Sequence, residues 1–522
     1  MRKILVLASI VFCMQYAQSQ TVTFAEHVAP IIYKHCTTCH RQGEIAPFPL
    51  TSYEEVKNRG AFIKYVTQIQ YMPPWKPDKN IRKLQNENFL SDEEIATLAA
   101  WVDQGMQRGD VSKEPPVPVF PSGSQVGNPD MVVSFAQSYL HKGTGIDEYR
   151  YFVLPTNLTE DKYLVALEVR PGNKKVVHHT LVWADSTDIS RNADAATPEY
   201  GFEGSSNTSV AQINNQLPGY VPGQKPKIYQ DGLAFKIPKG SDLLLQMHYA
   251  PSATDEKDST SINLFFSKEP PKRLVQSFVM LPVPGILQGD VFIIPPNQVK
   301  TFHGMITLPY DVTLLGVAPH MHLLGQNWHI YCELPDGKIQ DALKISDWDF
   351  NWQGSYHFTK PMILPRGTKL HAFATYDNTV NNPHNPNNPP KVISWGEKTS
   401  DEMYYLPLIF LNYQPGDENL EFHDVLSNDQ IKYDFVKDKI YPVYPAPAKD
   451  VVTIPFTISR PQRITVEITD LNGKVLITKY NETFAGNGMF KEEINISNLV
   501  PGTYIAVVKA GRNRMTQKFI KQ

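Results

Sequence analysis

Apolar positions change their period once along this 522-residue chain. Between residues 20 and 112 they recur at helical spacing: Ile95, Leu98, Ala99 and Val102 share one face, and Gly105 follows as a stop. Three Ser/Thr-x-x-Glu boxes, Thr23/Glu26, Ser52/Glu55 and Ser91/Glu94, each predict a helix start, because the two side chains satisfy each other's orphan backbone N–H groups. Pro30 should kink or shorten the helix it falls in. From about 129 to 440 the period drops to two, as at residues 163–169, and Pro-Gly and Asn/Asp turns separate such runs. That texture predicts β-sandwiches, and its length predicts two. The string Leu281-Pro282-Val283-Pro284-Gly285 is the expected junction. Residues 441–522 form a third β unit, with short strands near 464–468, 475–478 and 503–509 and turns at Asn472-Gly473 and Pro501-Gly502. A Pro- and Gly-rich linker, 113–128, joins the helical and β parts.

The first nineteen residues stand apart. Arg2 and Lys3 precede a short apolar run, and Ala17-Gln18-Ser19 offers a small-x-small cleavage site, so residues 1–19 are expected to be a secretory signal peptide. The run is too short to span a bilayer, and no other apolar run approaches that length. A net charge of -3 gives no electrostatic basis for a nucleic-acid partner. Cleavage would remove Cys13 and leave Cys36, Cys39 and Cys332.

Two of those thiols fall in Cys36-Thr37-Thr38-Cys39-His40, the C-x-x-C-H attachment signature of a c-type haem. In that reading the thiols add to the haem vinyl groups and His40 supplies one axial ligand. A zinc half-site or a bare dithiol are the alternatives, but one remaining thiol cannot complete a four-thiolate zinc site. Met72, in the extended loop Tyr71-Met72-Pro73-Pro74-Trp75, is the expected second axial ligand, with Met106, beyond a helix end, as its rival. With haem on Cys36 and Cys39 no intrachain disulfide can form.

The β region carries four further motifs in order: His178-His179, His248 within Gln246-Met247-His248-Tyr249, His320-Met321-His322, and Asp401-Glu402-Met403. Alternate residues of a strand share a face, so an H-x-H pair can chelate, whereas adjacent histidines need a bulge or strand end to share one metal. Imidazole suits both copper oxidation states, and thioether favours Cu(I). Taken together the motifs resemble those of the copper type II, ascorbate-dependent monooxygenases, the peptidylglycine α-hydroxylating and dopamine β-hydroxylating enzymes. The resemblance covers about 129–440. It implies two sandwiches facing across a wet cleft, an electron-transfer copper on His178, His179 and His248, and a distant, oxygen-activating copper on His320, His322 and Met403. It also implies O2 and ascorbate or another reductant as partners. The chain departs from the peptide-amidating members at Ala318, Tyr405 and Pro407, where they carry Arg, Asn and Tyr. Without that arginine, which pairs with the substrate carboxylate, peptidylglycine is an unsuited substrate. His303, His329, His357 and His371 match no motif and are expected to be structural or surface residues, and Cys332 a buried thiol. The loop from Asn378 to Pro390 either borders the cleft or is a solvated turn.

Residues 441–522 resemble the type IX secretion (Por) sorting domain of Bacteroidetes, through Tyr444-Pro445-Ala446-Pro447, Asp470-Leu471-Asn472-Gly473-Lys474, Leu499-Val500-Pro501-Gly502-Thr503-Tyr504 and Lys518-Phe519-Ile520. This implies the type IX machinery as a partner and a secreted or outer-membrane surface-attached product. The expected architecture is multidomain: a small all-α cytochrome c domain (20–112), the linker, two all-β jelly-roll-like sandwiches (129–284 and 285–440) and an Ig-like β-sandwich (441–522). The expected function is hydroxylation of a small-molecule or peptide-like organic substrate by a dicopper monooxygenase, with electrons drawn from its own haem c. The alternative is a non-catalytic haem/copper electron-transfer protein.

Overall fold

The computed structural model describes residues 21–118, 120, 124–203, 215–230, 232–289, 291–424, 438–441, 443–445, 447–459, 462–485, 488–511 and 513–522. The signal peptide expected at 1–19 and Ala446 lie outside the described residues.

A π-helical turn, Phe24–Val28, runs into α1 (Ala29–His35), followed by α2 (Tyr53–Lys57), α3 (Gly60–Gln68) and α4 (Asp92–Asp103). Ser91 and Glu94 form a complete capping box, and Ser52 accepts from the Glu55 N–H. Thr23 behaves otherwise. Its N–H and hydroxyl meet His27 Nδ1 at 3.1 and 3.3 Å, no cap bond forms, and the segment winds as a π-turn. Pro30 falls in the first turn of α1, directly after the π-turn, so the helical segment changes its hydrogen-bond register there instead of running on as one regular helix. Gly105 follows α4 at φ +85°.

Phe24, Ile32, Leu98 and Trp101 close a small core among these helices. A separate all-α cytochrome domain is nevertheless not evident, because the segment between α3 and α4 leaves the helices and lies along the β part. Trp75 meets Tyr356 edge-on at 5.8 Å, the Gln85 N–H bonds the His357 carbonyl at 2.8 Å, and Leu84 enters a sandwich core.

Most of the chain is β. In the first sandwich one sheet runs in the order Met131–Ser134, Ser261–Phe266, Lys162–Arg170, Leu233–Ile237, Arg273–Leu274. The other runs Glu148–Pro155, Asp242–Tyr249, Val177–Asp185, Gln216–Tyr220. In the second, Gln276–Met280, Leu406–Asn412, Val312–Val317 and Tyr356–Leu364 make one sheet; Val299–Thr307, Lys369–Asp377, Gly325–Glu333 and Ile339–Ile345 make the other. Gln276–Met280 pairs with Leu406–Asn412, so the second sandwich begins before the Pro-rich junction read at 281–285. Trp328, Phe358, Tyr376 and Tyr404 are fully buried in its core. Leu315, Ile409 and Leu411 leave that core and join the first one, packing with Leu245 and Ile262. The two sandwiches therefore share an apolar wall. Asn378 is buried and its amide donates to the carbonyls of Ile294, Pro295 and Lys391, so the Asn-rich loop is anchored at its start and is not a solvated turn there.

The tail pairs Lys439–Ile440, Val451–Ile458 and Gly488–Asn495 in one sheet and Val475–Ala485, Gln462–Thr469, Gly502–Ala510 and Asn513–Lys521 in another, around Phe456 and Phe490. Cys36, Cys39 and Cys332 are free thiols, and Cys332 is fully buried.

The shared wall yields a prediction. Leu315→Ala should cost about 2–5 kcal/mol, the usual range for a buried leucine. Hydrogen exchange should accelerate in both Asp242–Tyr249 and Gly325–Glu333, strands of different sandwiches. Loss of protection in one sandwich alone would contradict a common core.

Candidate metal and haem sites

The first site is made by a slip in strand register. Against Asp242–Tyr249, Val177 pairs with Tyr249 and His179 with His248, which leaves His178 as an extra residue. The extra residue is a β-bulge, and it turns the adjacent imidazoles to one side. The three Nδ1 atoms then stand 3.2 Å (His178–His179), 3.1 Å (His178–His248) and 3.3 Å (His179–His248) apart. An ion held by nitrogens at ~2.0–2.1 Å in tetrahedral geometry spaces those nitrogens by about 3.3 Å. The donor set therefore fits a metal ion. His248 Nε2 donates to Asp147 Oδ1 at 2.7 Å; a carboxylate only accepts, so the Nδ1 lone pair faces the triad. Tyr149 stacks on the His248 ring at 4.2 Å. Burial, then the neighbouring imidazoles, holds His178 down at about 3 and His179 well below the ordinary range, so these rings are neutral ligands at neutral pH.

The second set lies on two short crossing segments. Between Val312–Val317 and Gly325–Glu333 the chain is extended, with a bridge between His320 and Tyr405. Met321 points into the core, and His320 and His322 lie on the opposite side, their rings 5.1 Å apart at 90°. His320 Nδ1 donates to the Gln353 amide oxygen, and His322 Nδ1 donates to the Asp401 carbonyl at 3.1 Å. Both acceptors lack a proton, so each ring keeps a free Nε2 lone pair. His322 Nε2 is buried without a partner, which is the arrangement a metal would satisfy. Met403 and Tyr405 alternate with buried Glu402 and Tyr404, so Met403 faces the same cavity as His320. The Glu402 carboxylate accepts from the N–H groups of His322 (2.9 Å), Leu324 (2.7 Å) and Met403 (3.1 Å), tying the two segments together. Burial pushes Glu402 up to about 8 while those donors pull it the other way.

The two ligand sets are not separated by an open cleft. The rings of His179 and His320 lie 5.6 Å apart, and Phe350 touches His178 at 5.5 Å and His322 at 5.7 Å. The shared wall explains the closeness, since it draws the histidine-bearing ends of both sandwiches together. A cavity of about 140 Å³ opens on His179, His320 and Met403. His357 lines it too, although nothing in its sequence context marked it. Asp147, Tyr149, Phe350 and Gln353 were equally unmarked, because their partners are 28 to 172 positions away; Glu402 stood inside the Asp-Glu-Met motif but without a role.

At Cys36-x-x-Cys39-His40 the chain turns tightly off α1, with Cys36 accepting from the His40 N–H at 2.8 Å. His40 Nδ1 donates to the Phe48 carbonyl at 3.0 Å, which leaves the Nε2 lone pair available, so His40 would be able to hold a haem iron. Burial and the neighbouring thiol push Cys36 up to about 12. Of the two methionines, Met72 sits in a loop whose Tyr71 meets Trp352 at 6.5 Å, whereas Met106 packs its sulfur against Gly60 in the helical core.

Asp147→Asn should weaken metal binding at the triad by about 10–100-fold, the usual effect of losing a carboxylate behind a ligating histidine. His248→Ala should abolish it. Equilibrium dialysis against Cu(II) reads both; unchanged binding in the His248 variant would exclude the triad as a metal site.

Comparison with known proteins bears on the tail. Among curated proteins none matches. Among solved structures, a β-glucuronidase of Faecalibacterium prausnitzii aligns at 12% identity and TM-score 0.16, covering 49% of this chain and 47% of that one. The Dictyoglomus thermophilum β-D-glucuronidase aligns at 9% and 0.16 (49% and 44%), and a biofilm-associated protein BSP domain at 10% and 0.14 (77% and 84%). The chain spans less than half the length of either glucuronidase, and likenesses this low carry no argument about fold or function. Among the described residues no helix is long and apolar enough to cross a membrane. Residues 442–522 match the secretion system C-terminal sorting domain family. That tail is a type IX sorting domain, and it directs the protein to a secreted or cell-surface location by way of the type IX machinery.

Proposed function

We propose that this exported protein is a copper-dependent monooxygenase that inserts one oxygen atom of O2 into a C–H bond of an organic substrate, R–H + O2 + 2 e⁻ + 2 H⁺ giving R–OH + H2O. The observation that carries the reading is the convergence of His178, His179 and His248 on one point, with His320 and the unpartnered Nε2 of His322 beside it. When bound, copper on these residues would supply one-electron storage and dioxygen activation, and haem on Cys36, Cys39 and His40 would supply electrons. The chain's own contribution is positioning. Asp147, Gln353 and the Asp401 carbonyl set the tautomers of His248, His320 and His322, and Glu402 fixes the spacing of His322 and Met403. Leu181, Leu217, Phe235 and Ile409 give the cavity apolar walls that exclude water from the reacting bond.

An internal electron supply draws support from how the haem-motif segment packs. Lys174 pairs with Glu44 at 2.6 Å, and a Cβ on Gly223 would stand 3.3 Å from Cys39 Sγ. Gly223 lies three residues beyond Tyr220, which lines the cavity. The linker residue Phe120 lies under the Arg41 guanidinium at 3.8 Å, so the motif does not hang on a free tether.

His320→Ala and Met403→Ala should each abolish formation of hydroxylated product while the His178/His179/His248 site stays loaded with copper. Amines, lipids and aromatic compounds are the substrates to screen, with O2 uptake and product measured together. Preference for zinc after equal loading would end the redox reading. Copper-dependent O2 uptake without any organic product would favour the electron-transfer alternative.

Haem should survive acid–acetone extraction, and Met72→Ala should remove the sulfur-to-iron charge-transfer band of the ferric form. Retention of that band in Met72→Ala and its loss in Met106→Ala would reassign the axial ligand. Reduced haem should be reoxidised by O2 faster in the copper-loaded protein than in the copper-free one. Equal rates in stopped flow would mean that the haem serves an outside partner.

A further inference from the structure

The cavity that opens on His179, His320 and Met403 has a second polar wall. Gln224, Lys225, Lys227, Ser355 and His357 line it as well. Lys227, Tyr229 and His357 also line a smaller adjoining cavity with Gln85 and Phe422, which no candidate metal ligand reaches, so the lysine wall is distinct from the metal wall. Both lysines are partly buried. Lys227 Nζ donates to the Gln85 amide oxygen and lies over the rings of Tyr229 and Phe422 at 5.5 and 5.4 Å. Asp424 is the carboxylate that acts on both lysines. Two ammonium groups thus share one carboxylate. Burial pushes Lys227 down to about 7 while Asp424 pulls it the other way. Glu397, the remaining acid on the cavity, is engaged by the Tyr151 hydroxyl at 2.9 Å, and burial raises it toward the neutral form. His357 Nδ1 is buried with no partner, and Ser355 occupies its Nε2 at 3.2 Å.

We infer that Lys225 and Lys227 form an anion subsite that takes the carboxylate of a compact apolar or aromatic acid, with the hydrocarbon part lying along the apolar walls toward His320 and Met403. The inference rests on the monooxygenase reading for what happens to the acid, and on the cavity alone for its binding. A partly buried cation favours a carboxylate over a neutral isostere, because a hydrogen bond between opposite charges is stronger than one to the uncharged carbonyl oxygen of the amide. Position 318, which also borders the cavity, is alanine and adds no charge, so selectivity for the acid would come from the lysine wall. A haem propionate presents the same chemistry, since Gly223, beside Cys39, is two residues from Lys225.

The test uses the full-length, copper-loaded protein and two probes of one shape, 4-phenylbutyrate and 4-phenylbutanamide, titrated by calorimetry. Wild type should bind the acid at least about tenfold more tightly than the amide, the factor that one charge-assisted hydrogen bond supplies. Lys225→Met and Lys227→Met should bring the ratio to within about twofold, with amide affinity retained as the sign of an intact cavity, and Lys227→Arg should keep the acid preference. No preference in wild type, or an unchanged ratio in both methionine variants, would overturn the subsite. An unchanged ratio together with a shifted haem midpoint potential in Lys225→Met would assign the lysines to a propionate and likewise overturn it. Hydroxylation is read separately. Acid preference without turnover upholds the subsite and removes the oxygenase reading; turnover without acid preference does the reverse.

Discussion

The register slip at His178 is the constraint on which the candidate chemistry depends. In an unbroken strand, His178 and His179 would face opposite sides of the sheet and could not meet. The bulge removes His178 from the ladder, at the cost of local pairing, and brings three Nδ1 atoms within 3.1 to 3.3 Å of one another. Three ring nitrogens at that spacing, with the His248 proton fixed on Asp147, present a cluster of nitrogen donors to a metal ion. Adding protons is opposed by burial and by mutual repulsion, which is why these rings titrate so low. A cation answers the same demand without that penalty.

The second constraint is the common apolar wall. Leu315, Ile409 and Leu411 belong by strand to the second sandwich and by packing to the first. Apolar burial at this seam holds the two sandwiches face to face, so the histidines they carry meet in one cluster. Within it, Glu402 has a local task. Its two oxygens collect three backbone N–H groups from two chain segments, and the alternation of Glu402 inward with Met403 outward turns one buried acid into a clamp for the thioether beside it.

The haem-motif segment is held by the same kind of force. The Lys174–Glu44 pair is partly exposed and contributes no more than about 1 kcal/mol. Trp75 and Leu84, seated against Tyr356 and in the second core, account for more of the attachment. A segment that reads as a self-contained helical domain is therefore fastened by residues from the middle of its own sequence.

Local spacing in the sequence determined the helices capped at Ser52 and Ser91, the strands of the tail, the alternation at His320-Met321-His322 and the presence of a C-x-x-C-H turn. These depend on contacts within about four residues, which leave a readable period. Tertiary structure decided the rest. Whether Thr23 caps a helix depended on His27 taking its place, and whether His178 and His179 share a face depended on Tyr249 and His248 across the sheet. The supporting residues Asp147, Phe350, Gln353, Lys225 and Lys227 carry no local signal, since each takes its meaning from a group far away in sequence: Asp147 from His248 on the neighbouring strand, Gln353 from His320, and Phe350 from histidines of both sandwiches. Hydrogen-bond geometry and exclusion of water act through space, and chain folding alone sets which distant residues share that space.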